Sequence, residues 1–136
     1  MKAVAGNLNV ATDDGSAGEK GLVTNVIRRL VEQEGKQYDL CIAIGPMIMM
    51  KFATLTCKKL ELPVIVSLNT LMVDGTGMWG ACRVTVGGKV RFACVEGPEF
   101  AGYLVDFDEA MRRQRMYSSE EKDAVEHHKC RIGRGK

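Results

Sequence analysis

Asp39 to Ile44 (DLCIAI), the turn Gly45-Pro46, the stretch Met47 to Leu60 and then Pro63 to Leu68 (PVIVSL) decide the fold. The first run is almost wholly apolar, which suits a parallel strand buried on both faces. Gly45 and Pro46 end it. Met47 to Leu60 reads as a helix, and Pro63 to Leu68 as a second buried strand. Strand, helix and strand in that order predict an α/β arrangement with a parallel sheet. Working back, Leu22 to Glu34 carries apolar residues at 22, 23, 26, 27, 30 and 31, a helical spacing closed by Gly35. Before it, Asn7 to Thr12 (NLNVAT) predicts a further short strand, followed by the polar turn Asp13 to Gly21.

Working forward, the pattern changes at Asn69. Residues 69–80 are loop-like, and Arg83 to Val86 and Lys89 to Val95 predict two strands joined at Gly87-Gly88, a hairpin signal. Asp106 to Tyr117 and about Ser119 to His128 predict two terminal helices, the second capped by Ser118 or Ser119 with Glu120 and Glu121 in its first turn. The expected division is 1–68, an α/β unit; 69–105, loop and hairpin; and 106–136, a helical tail.

The 136 residues are 46% hydrophobic, enough for a core and against gross disorder. Nineteen basic and seventeen acidic residues give a net charge of +2, which argues against nucleic acid as a partner. The last 28 residues hold eight basic and five acidic side chains and read as a solvated helical end. No apolar run reaches the roughly 18 residues of a membrane span, and the N-terminus lacks a signal-peptide core, so a cytoplasmic protein away from membranes is expected. Five cysteines fit no secreted disulfide framework and read as thiols, metal ligands or redox centres.

Gly75-Thr76-Gly77-Met78-Trp79-Gly80 matches the dinucleotide fingerprint in letters only. That motif needs a strand before it and a helix after it, whereas a hairpin follows here. Two other turns lie where ligands of open parallel sheets bind: Thr12-Asp13-Asp14-Gly15-Ser16 and Gly45-Pro46-Met47. Their amides and carboxylates suit a nucleotide; on spacing alone they are better read as ordinary helix starts and turns. Cys82 and Cys94 flank the hairpin, and Asp74 precedes Cys82 by eight residues. These three could face one metal centre, or the two thiols could simply pack. Cys41 and Cys57 read as core thiols, and His127, His128 and Cys130 as a helix end with a metal-binding alternative.

The series Thr12-Asp13-Asp14-Gly15-Ser16, Ala43-Ile44-Gly45-Pro46-Met47, Val73-Asp74-Gly75-Thr76-Gly77-Met78, Gly80-Ala81-Cys82-Arg83, Ala93 to Phe100 and Val105-Asp106-Phe107 resembles one family in one order. It is similar to the C-terminal half of the small subunit of NADH-dependent ferredoxin:NADP oxidoreductase, also called sulfide dehydrogenase. The electron-transfer subunit of dihydroorotate dehydrogenase is close to it, and both are ferredoxin reductase-like flavoproteins. The resemblance implies a partial ferredoxin reductase-like nucleotide-binding domain, then a cluster-binding insert and C-terminal helices. It implies electron transfer between NAD(P)H, FAD and a [2Fe-2S] relay, and onward to a large flavin and iron–sulfur subunit. Thr12 to Ser16 and Gly45 to Met47 would line the nucleotide cleft, with Asp74, Cys82 and Cys94 as cluster ligands.

Two departures matter. Where the family has Cys-Gly-x-Cys, this chain has Trp79-Gly80-Ala81-Cys82, and indole cannot ligate iron. The FAD barrel and the first glycine-rich βαβ part of the family's nucleotide domain are not represented, so the chain alone is expected to show no turnover. Its unpaired strand edges predict an oligomer. The competing expectation is a non-catalytic interaction or structural module, its cluster lost or replaced by zinc, which accepts Cys and Asp.

Overall fold

A computed structural model describes the chain from residue 5 to residue 132, with side chains up to residue 127. The elements are β1 (Ala11–Thr12), β2 (Glu19–Lys20), α1 (Val23–Arg28), β3 (Cys41–Ile44), α2 (Met47–Lys59), β4 (Val64–Ser67), β5 (Arg83–Val86) and β6 (Lys89–Phe92). Then follow α3 (Ala93–Glu96), β7 (Glu99–Ala101), α4 (Phe107–Gln114) and α5 (Ser118–Ile132). A wider helical turn, Arg29–Gln33, prolongs α1.

The centre is the expected strand–helix–strand unit. β3 and β4 pair in parallel, Cys41 opposite Val64 through Ile44 opposite Ser67, with α2 crossing over between them. Met47, Met50, Ala53 and Cys57 of α2 recur every three or four residues, so they share one helix face and are buried. They pack with Val64 and Val66 of β4, Val84 of β5, and Phe107 and Ala110 of α4. Met50, Val66 and Cys57 are 0% exposed. Burying a side chain such as Met50 or Val66 contributes about 1.5–3 kcal/mol.

Three expectations need correction. The strand read over residues 7–12 is reduced to Ala11–Thr12, and it does not join the central sheet. It pairs in parallel with Glu19–Lys20, Ala11 opposite Glu19. The third strand of the central sheet is instead β7, antiparallel to β4, with Val66 opposite Phe100. β3 is thereby a sheet edge among the described strands, and only one of its faces is covered. Ala43 points into the core, whereas Ile42 and Ile44 are 62% and 70% exposed. The continuous apolar run is real, but α2 packs on one side only. Finally, β6 stops at Phe92, so Cys94 lies in α3 rather than in a strand. The Glu96 carboxylate accepts from the Phe92 N–H at 2.9 Å, which turns the chain into that helix.

The hairpin itself is as expected. Gly87 and Gly88 have φ of +59° and +74°, the left-handed pair that a two-residue turn between twisted strands requires. It is tied to the following segment by Gly87 N–H to Leu104 O (2.7 Å) and Asp106 N–H to Thr85 O (2.9 Å). Asp106 then caps α4 by accepting from Glu109 N–H at 2.9 Å. Lys51 of α2 pairs with Asp108 of α4 at 2.6 Å. α5 is longer than expected, running to Ile132. The side chains of His128 and Cys130 lie outside the described residues.

Candidate functional site: a two-thiol loop beside a helix-start cavity

Residues 69–82 form an irregular loop between β4 and β5 in which Gly75, Gly77 and Gly80 all take positive φ, +73°, +78° and +64°. No helix follows Gly80, so the glycines here shape a wrapping loop and not a dinucleotide turn. At Gly77 a Cβ would stand 3.3 Å from both Phe92 Cγ and Val95 Cγ2, because the loop passes closely over the end of β6 and the start of α3. That approach brings Cys82, at the foot of the hairpin, against Cys94 in α3. Their sulfurs are 3.0 Å apart. Ala93 N–H donating to Cys82 O at 3.1 Å fixes the two backbones together.

Both are free thiols. Their separation exceeds the bond of a disulfide, about 2.05 Å. Two sulfurs sharing a tetrahedral metal at about 2.3 Å each would stand roughly 3.8 Å apart, wider than the 3.0 Å here, so the two thiols are adjacent but would have to spread to hold one ion. The shared hydrogen bond with Cys82 pushes the Cys94 thiol above its usual value; burial adds to this, and the Gly77 N–H opposes it. The Asp74 carboxyl is held below its usual value chiefly by the Thr76 hydroxyl, and its charge is felt at Cys94.

The structure thus brings together two of the three expected metal residues closely, with the third in electrostatic reach. Among the described residues no three His, Cys, Asp or Glu side chains are close enough to hold a metal ion. A [2Fe-2S] centre takes four protein ligands. Two thiols and a carboxylate leave it one short, and Trp79, 74% exposed, offers no ligand atom. The residues present therefore do not complete a cluster site by themselves.

The two nucleotide-type turns are separate. Thr12 Oγ1 donates to Ala17 O (3.0 Å) and accepts from Ala17 N–H (3.1 Å), and Asp14 accepts from Ser16 N–H at 2.9 Å. That last bond lowers the Asp14 carboxyl below its usual value. Asp13, Asp14, Gly15 and Ser16 make a locally satisfied turn between β1 and β2. At Gly18 (φ +70°) a Cβ would meet Val10 O at 2.1 Å, so only glycine closes that turn. Gly45, Pro46 and Met47, by contrast, open onto a cavity of about 640 Å³ that Asn69, Met111, Gln114 and Arg115 also line. Gly45 has φ +154°, and no side chain caps α2, whose first amides lack intrahelical acceptors. The Thr12–Ser16 turn does not line this cavity.

Sequence reasoning missed the part played by the tail. Met111, Gln114 and Arg115 close over the carboxyl ends of β3 and β4, and Gln114 Nε2 donates to Asn69 O (3.1 Å) and Oδ1 (3.2 Å). The only sequence signal was the dense run of arginines from 112 to 115. Cys57 is a buried core thiol as expected, whereas Cys41 is only half-buried against the core. They also share a hydrogen bond, which lowers Cys41 to about 7 and raises Cys57.

Residues 69–106 match the iron–sulfur cluster binding domain of dihydroorotate dehydrogenase B. A Clostridium beijerinckii protein named only by its gene neighbourhood is 60% identical over 121 residues, 89% of this chain and 41% of its own length. A Thermotoga maritima homologue of the electron transfer subunit of dihydroorotate dehydrogenase B (NAD(+)) is 53% identical over 86% of this chain and 41% of its own. A solved chain described as an NADH-dependent reduced ferredoxin–NADP oxidoreductase shares 51% identity at a TM-score of 0.79, over 89% of this chain and 43% of that one. The chain spans about two fifths of the length of the relatives it matches. In sequence and fold it is therefore similar to part of the dihydroorotate dehydrogenase B electron transfer subunits, with their iron–sulfur cluster binding domain matched at residues 69–106, and to part of the solved NADH-dependent reduced ferredoxin–NADP oxidoreductase chain.

Proposed function

We propose that this chain serves as part of an electron-transfer subunit in a flavin- and iron–sulfur-dependent oxidoreductase. Electrons would pass between NAD(P)H, FAD and an iron–sulfur relay, and on to a larger flavin and iron–sulfur subunit. The observation that carries the reading is the convergence of Cys82 and Cys94 inside the segment that matches the cluster-binding domain. On this reading Cys82 and Cys94 supply two thiolates and Asp74 a third donor. Gly75 and Gly77 let the backbone wrap closely. Because Trp79 supplies no fourth donor, complete ligation needs a group from outside this loop.

The Gly45-Pro46-Met47 turn is the proposed nucleotide contact. Its support is the uncapped start of α2 facing a cavity within the size range of small-molecule sites. Thr12 to Ser16, already satisfied within its own turn, would contribute to that cleft only in a larger assembly. FAD enters through the relatives, and no residue described here is assigned to it. Cofactors of this kind carry the redox chemistry, and the protein positions them. The edge of β3, unpaired among the described strands, and its open face at Ile42 and Ile44 support the expectation of an oligomer or a covering partner.

The second reading, a structural module holding zinc or no metal, is favoured by Trp79 itself. Anaerobic purification followed by iron, sulfide and zinc analysis of one sample separates the two. Iron with sulfide, lost in Cys82→Ala and Cys94→Ala, supports the relay. Zinc alone supports the structural module. A metal-free chain with both thiols freely alkylated would contradict any metal role.

A further inference from the structure

A second cavity, of about 450 Å³, lies between residues 69–72, the start of β5 and the α4–α5 corner. Arg83 and Arg113 line it, and neither makes an ion pair among the described residues. Arg113 Nη2 donates to Gly80 O at 3.2 Å, but its Nε is buried with no partner. Thr70 Oγ1, in the same lining, is also buried without a partner. Buried polar groups are nearly always paired, and leaving them unpaired is costly. Two such atoms in a lining that also holds two guanidinium groups without an ion pair among the described residues call for an acceptor-rich occupant. The remaining lining includes Met72 and Met116, which are apolar, and one carboxylate, Glu121.

We infer that this cavity binds a small organic oxyanion, a phosphate or carboxylate head on an apolar body. Its oxygens would accept from Arg113 Nε, the Arg83 guanidinium and the Thr70 hydroxyl, while the apolar body would lie against the methionines. Arginine suits such heads because its planar fork matches two oxygens at once. Asn69 and Gln114 line both this cavity and the one at Gly45. The site is therefore a neighbour of the proposed nucleotide contact and does not depend on it.

The test is calorimetric titration of the full chain with phenyl phosphate, benzoate and inorganic phosphate at fixed ionic strength. Saturable binding of phenyl phosphate or benzoate is expected, and the stronger of the two identifies the head group. Arg83→Gln should weaken that ligand by about tenfold or more, as loss of a charge-assisted hydrogen bond implies. Thr70→Val should also weaken binding while the melting temperature holds or rises, because the orphaned hydroxyl is gone. The valine variant thus separates lost binding from lost folding. Absence of saturable heat at millimolar ligand, or unchanged affinity in both variants, would overturn the inference. Inorganic phosphate binding as tightly as phenyl phosphate would overturn the apolar part of the site.

Discussion

Gly102 is buried where the chain leaves β7 and crosses α2, and a methyl group there has nowhere to go. A Cβ would stand 2.8 Å from Thr54 Oγ1, 3.0 Å from Val64 Cγ1 and 3.2 Å from Val66 Cγ1. The first of these is closer than real Cβ contacts allow, and the valines belong to the central strand, which cannot retreat without disturbing the core. Gly102→Ala should therefore destabilise the chain by about 1–3 kcal/mol, the usual cost of an extra methylene forced into a packed interior. Thr54 offers the control. Its hydroxyl is buried without a partner, so Thr54→Ala loses one methyl, about 0.8 kcal/mol, and is relieved of an unpaired polar group costing about 1–3 kcal/mol. The single variant should be near neutral or slightly stabilising. The double variant removes the tightest clash, so the two changes should couple by about 0.5–3 kcal/mol in favour of the pair. Urea unfolding followed by circular dichroism measures all four species. A double variant as unstable as the sum of its singles would refute this packing of Gly102 against α2.

Asp106→Ala removes the cap of α4 and should cost about 1 kcal/mol in the same assay, with Asp106→Asn retaining most of it. The carboxyls of Asp14, Asp74 and Glu96 are all held below their ordinary values, first by Ser16 N–H, the Thr76 hydroxyl and Phe92 N–H respectively. Their contribution is present above the ordinary values of 3.8 and 4.5 and is lost as pH falls through the lowered ones. Stability should thus be level near neutrality and drop in acid; a chain gaining stability below those values would contradict the assigned contacts. Cys41, lowered to about 7 by the Cys57 thiol, should show rising iodoacetamide labelling as pH passes through that value, while buried Cys57 stays unlabelled. Peptide mapping that finds the reverse order would remove the pairing.

The sequence made the local elements plain and left the non-local ones hidden. Residues 47, 50, 53 and 57 repeat at helical spacing, and α2 spans Met47–Lys59, one residue short of the expected end. Gly87-Gly88 marked the hairpin because two consecutive positive φ angles leave few other choices. Nothing within Glu99–Ala101 announces that it will add to β4, since that pairing joins residues more than thirty apart. Cys94 was misplaced in a strand because β-branched and aromatic neighbours outweighed one turn of helix held by Glu96. The burial of β3 was overstated because an apolar run reports what a strand can bury, not which layers are there to cover it. At the candidate site, the cysteine spacing was legible, but convergence depends on the Gly77 approach to Phe92 and Val95, which is a tertiary fact. The cavity lined by Thr70, Arg83 and Arg113 joins three distant segments and had no local signature.

The central proposal is that Asp74 in the loop, Cys82 at the foot of β5 and Cys94 in α3 form a cluster-type site missing one donor at position 79. Anaerobic iron and sulfide reconstitution of the wild-type chain beside Trp79→Cys tests it most directly. The account predicts about two irons and two sulfides per chain, with broad visible absorption, in the cysteine variant, and a lower or labile loading in the wild type. A Trp79→Cys chain that folds normally yet stays colourless would contradict the claim.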